Sequence, residues 1–85
     1  MSDKIINKHW YAYVHGNPLS PKSYFLMNIK PGFNKGTKIA AIFAKGYAEY
    51  PDEFSPKMKT YIANALATGV PQPVNTDSPL VLLKN

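Results

Sequence analysis

Cysteine and arginine are both missing from this 85-residue chain. Without cysteine no disulfide adds to the core, and no thiolate serves as metal ligand or nucleophile. That absence suits the cytosol, though exported domains also do without it. Without arginine, the bidentate chemistry that reads guanine edges and clamps phosphate is lost. Acids are few: five stand against ten lysines, for a formal net charge of +5. Such a balance favours anionic partners at long range. The lysines, however, are spread from Lys4 to Lys84 with no basic arm, the pattern of a solvated surface. No apolar run approaches the ~18 residues of a membrane span. The opening M-S-D-K-I-I-N-K carries no export core. The expectation is a soluble chain, cytoplasmic as written, or exported if the native N-terminus has been removed.

What is present fits one small domain spanning residues 1–85, with 1–8 loosely ordered and 70–79 a connector. A chain this short buries only about 60–65% of the surface its unfolded form exposes, so the core is thin. The eight prolines fall between apolar runs, as punctuation of a loop-rich fold, and the 45% hydrophobic content is that of a globular chain.

From His9 the run H-W-Y-A-Y-V-H alternates. Trp10, Ala12 and Val14 point one way; His9, Tyr11, Tyr13 and His15 point the other, which predicts a strand. Gly16-Asn17-Pro18 stops it. Ser23 to Lys30 predicts a second strand, with Phe25, Met27 and Ile29 on one face and Tyr24, Leu26 and Asn28 on the other. Thr37 to Lys45 reads as a third strand or a helix start, and its length between Gly36 and Gly46 favours the strand. Ser55 as N-cap, Pro56 at the first helical position and Asp52 and Glu53 just before them open a helix. Met58, Tyr61, Ile62, Ala65 and Leu66 form its apolar stripe, with Lys57, Lys59, Thr60 and Asn64 on the wet side. Gly69 closes it as a left-handed cap. The final L-V-L-L-K is a candidate fourth strand.

Four chemical constellations stand out. The stretch K30-P-G-F-N-K-G-T-K-I-A-A-I-F-A-K-G46 looks at first like a phosphate cradle, but Gly36 follows Gly32 too closely and precedes Thr37 rather than lysine, so no P-loop forms. The same glycines and Asn34 suit a β-hairpin turn. His9 and His15 share a strand face, yet six extended residues separate them by about 20 Å, too far to share one ion. Glu49, Asp52 and Glu53 are acids of the kind that do acid–base work, but no His or Ser neighbour suggests a relay, and acids before a helix favour a capping role. Trp10, Tyr11, Tyr13, Tyr24 and Phe25 could stack bases from a sheet face or dock a protein. No RNP-like run accompanies them.

The segment P31-G-F-N-K-G36-T-K-I-A-A-I-F-A resembles a pattern in small exported Bacteroidetes proteins of unknown function. There a proline, a cysteine two residues on and then a glycine precede a run of the type Cys-Ala-Ile-x-Ala. The late helix and the closing L-V-L-L-K-N are similar to the tail of such chains, so the resemblance covers residues 24 to 85. It implies that Phe33 and Ala40 stand where the family places its two cysteines, and that packing alone holds the hairpin here. Cβ atoms within about 3.5–4.5 Å would fit that relation. The family contributes no catalytic residues.

The sequence therefore predicts an α+β domain: a small antiparallel sheet in β-β-β-α-β order with one amphipathic helix packed on it. It points to a non-catalytic module with no cofactor or metal, binding a protein partner or itself through an aromatic sheet face or a strand edge. The alternative is a basic domain for single-stranded nucleic acid. The interaction residues expected are Trp10, Tyr11, Tyr13, Tyr24, Lys30 and Lys38.

Overall fold

The structure is a computed structural model and describes residues 8–27, 32, 35–46, 48–74 and 78–85. Strands β1 (Lys8–Tyr13), β2 (Tyr24–Leu26) and β3 (Lys38–Lys45) precede helix α1 (Pro56–Thr68) and strand β4 (Val81–Lys84). This is the predicted α+β order, with one 3-10 turn at Pro21–Ser23 before β2. Lys8 already belongs to β1. Residues 1–7, and 75–77 of the predicted connector, lie outside the described residues.

The sheet order is β2-β1-β3-β4, which corrects the predicted hairpin. β1 is antiparallel to both β2 and β3. The two flanking strands therefore run parallel to each other, and a hairpin turn cannot join parallel strands. Turn chemistry around Gly32 and Gly36 is local, whereas pairing follows burial. The run I-A-A-I-F-A of β3 is almost wholly apolar and belongs in the sheet interior. There Tyr11 meets Ile42 and Trp10 meets Phe43. Ala40 is buried in β3, but Phe33, and with it the cross-link geometry, lies outside the described residues, as do Lys30, Pro31 and Asn34.

Between β3 and β4 the register shifts around Ile39 and Ala41. A bulge of this kind adds one residue to a strand and resets its alternation. Ile39 and Ile42 are three apart, which would put them on opposite faces of a regular strand. The irregularity lets both enter the one core cluster.

Helix α1 begins and ends where its caps are written. Ser55 Oγ accepts the Met58 amide hydrogen at 3.1 Å, Pro56 occupies the first turn, and Gly69 adopts φ 71° with its N–H on the Ala65 carbonyl. Met58, Ile62 and Ala65 are buried and Tyr61 packs partly against them. Leu66 departs from the predicted stripe, being 39% exposed. At 3.6 residues per turn it lies about 80° round from Met58, beyond the edge of the buried face. Replacing Ser55 with alanine is expected to cost about 1 kcal/mol, read as a lower urea midpoint with an unchanged slope.

The core joins Tyr11, Tyr24, Ile39, Ile42, Val81 and Leu83 of the sheet to Phe54, Met58, Ile62 and Ala65. Tyr24 meets Phe54 edge-on with ring centroids 5.7 Å apart, tying β2 to the chain entering α1.

Candidate interaction surface

Strand alternation decides which aromatics remain available. Tyr11 and Tyr24 are at 0% exposure, and half-buried Tyr13 stacks edge-on against Tyr24 at 5.5 Å. Their hydroxyls end at the rim of the core and donate to loop carbonyls. Tyr24 donates to Pro18 at 2.7 Å, Tyr11 to Ala48 at 3.3 Å, and Tyr13 to Gly16. Burial pushes the Tyr24 phenol well above the ordinary tyrosine range, with Tyr13 adding to it. Burial also raises the Tyr11 phenol, and the charge of Asp52 raises it further. Three of the residues expected to meet a partner thus hold the core and its loops together.

The opposite face carries Trp10, Ala12, Phe25 and Phe43. Ala12 pairs with Phe25 and Trp10 with Phe43, and the Trp10 and Phe43 rings lie 5.2 Å apart. Trp10 and Phe43 are half-buried. Phe25 is 48% exposed and Tyr50 45%, whereas Leu26, 36% exposed, pairs with Tyr11 and so lies on the other face. The Phe25 and Tyr50 rings meet edge-on at 5.9 Å. Periodicity alone missed Tyr50, because it sits in the loop after β3 and no strand pattern marks it. That loop reaches the outer side of β2, where the Leu26 amide donates to the Glu49 carbonyl at 2.8 Å.

The next cross-strand pair on this face beyond Trp10 and Phe43 is Lys8 with Lys45, whereas the expected Lys38 stands apart. Lys38 is exposed and pairs across the sheet with Lys84. It precedes Phe43 by five strand residues, about 16 Å along β3, and Lys30 lies outside the described residues. Exposed Asp52 and Glu53 line a cavity of about 310 Å³ at the entrance to α1 together with Lys8, Lys45 and Lys57. Ser55 borders it too, but its hydroxyl is engaged as the helix cap.

Among the described residues no group of three or more His, Cys, Asp or Glu is placed to hold a metal ion. Among them, too, no helix is long and apolar enough to cross a membrane. Comparison with protein-family models, curated proteins and solved structures returned no match.

Proposed function

We propose that the protein is a non-catalytic interaction module that docks a protein partner through Phe25 and Tyr50, with Trp10 and Phe43 behind them. A second copy of the chain is the simplest such partner. The observation that carries this reading is the exposed Phe25–Tyr50 pair. Two rings fixed against each other offer a large apolar area with little side-chain entropy left to lose, the character of interface anchors. Docking by side chains is favoured over strand addition at β2. That strand has three residues, and Glu49 already satisfies its Leu26 amide, leaving a short and partly covered edge. The nucleic-acid reading loses support, because Tyr11, Tyr13 and Tyr24 are committed to the core.

Light scattering from micromolar to near-millimolar protein tests the reading. The average mass is expected to rise with concentration. Phe25→Asp with Tyr50→Ser should weaken that association at least about tenfold, as loss of aromatic anchors does, while leaving the circular dichroism unchanged. A strictly monomeric parent that instead bound a random single-stranded oligonucleotide, with steep loss in salt, would favour the other class.

A further inference from the structure

The cavity at the entrance to α1 has a character of its own. Its walls include Phe43, Phe54, Met58, Tyr61 and Leu80; Phe54 and Met58 are buried and the others half-buried. Around this apolar floor stand Lys8, Lys45 and Lys57, with Asp52 and Glu53. Lys8 and Lys45 face each other directly across β1 and β3, an arrangement that is destabilising for like charges. Among the described residues, none of these three lysines forms an ion pair. Three ammonium groups against two carboxylates leave one positive charge in excess. The N-terminal turn of α1 borders the same space and adds positive partial charge. At about 310 Å³ the volume lies at the small end of ligand sites, roughly 300–1,000 Å³.

We infer that this cavity binds a small organic monoanion with a compact apolar tail, a medium-chain or aryl carboxylate. The carboxylate sits between Lys8 and Lys45, relieving their repulsion, and the tail lies over Phe54 and Met58. A single excess charge suits a monoanion better than a phosphate dianion, and the apolar floor gives an unsubstituted small ion little to contact. The cavity shares Phe43 with the proposed docking surface but not Phe25 or Tyr50, so substitutions at Lys8 and Lys45 test the one and substitutions at Phe25 and Tyr50 the other.

Titration of the ¹⁵N-labelled full chain with octanoate, 1-octanol and inorganic phosphate tests it. Octanoate is expected to saturate, with shifts centred on the amides of Lys8, Lys45 and Lys57. The alcohol and phosphate should each bind at least about tenfold more weakly, the loss of roughly 1.4 kcal/mol. Shortening the acid should weaken binding by about fourfold per buried methylene removed. Lys8→Gln with Lys45→Gln should lower octanoate affinity about tenfold while leaving the fold as stable as before or more so, since a repulsive pair is removed. No saturation at millimolar octanoate would overturn the proposal. So would equal binding of the alcohol or phosphate, an unaffected double variant, or shifts centred on Phe25 and Tyr50.

Discussion

Gly36→Ala is expected to destabilise the domain by about 3 kcal/mol or more, in the range of the severest single substitutions. Gly36 has φ 151°, a region that side-chain-bearing residues rarely enter. A Cβ there would lie 2.0 Å from the Lys84 carbonyl oxygen and 2.7 Å from the Asn85 nitrogen. Both obstacles are backbone, so no rotamer change relieves them. The Gly36 amide also donates to the Gly69 carbonyl at 3.4 Å. Three segments therefore converge at this point: the approach to β3, the end of β4 and the cap of α1. For a domain this size, about 3 kcal/mol is a fall of more than 12 °C in Tm. Gly32 supplies the control, because a Cβ there meets nothing within 4 Å. Gly32→Ala should stay within about 0.5 kcal/mol of the parent. Equal melting temperatures for the two variants would refute the convergence at Gly36.

The contrast between these glycines shows what the sequence can and cannot report. As letters, both look like parts of one hairpin turn. The structure gives Gly36 a long-range steric duty, set by strands far away in the chain, that no local turn signal encodes. Helix α1 was legible for the opposite reason. Ser55, Pro56, Gly69 and the 3–4 spacing all act within a few residues of each other, and the helix keeps the predicted start and cap. Strand existence was legible by the same token, but strand order was not, since pairing β3 with β1 is settled by which apolar run gains most from the interior. The shift around Ile39 and Ala41 also defeats any reading by strict alternation.

The candidate surface was half legible. Alternation separated Trp10 from Tyr11 and Tyr13, but both faces are rich in apolar area, so periodicity could not say which meets the helix. What distinguishes them in the structure is the reach of a tyrosine. Its ring enters the core while its hydroxyl emerges at the rim to bond Pro18 or Ala48, as buried tyrosines generally require. Trp10 and Phe25, left on the other face, then acquire Tyr50 from a loop whose path no local pattern predicts.

The packing of α1 sets the second large effect. Ile62→Ala is expected to cost about 2–5 kcal/mol, the usual toll of emptying a fully buried aliphatic site. Ile62 is at 0% exposure and belongs to the cluster that includes Ile39, Ile42, Val81 and Leu83, so the cavity it leaves borders the sheet as well as the helix. A domain of this length has a total stability of roughly 4–13 kcal/mol. The loss is therefore a large share of what holds the chain folded, and a stability at the lower end leaves a substantial unfolded fraction at room temperature. Leu66, on the same helix and 39% exposed, provides the comparison. Leu66→Ala removes a larger side chain than Ile62→Val, yet it should cost less than about 1 kcal/mol, because much of that surface is already in water. Urea unfolding of the three variants should rank Ile62→Ala far below the other two. A Leu66→Ala cost equal to that of Ile62→Ala would mean that the helix presents a different face to the sheet. Tyr61 and Met58 would then no longer line the cavity at its entrance.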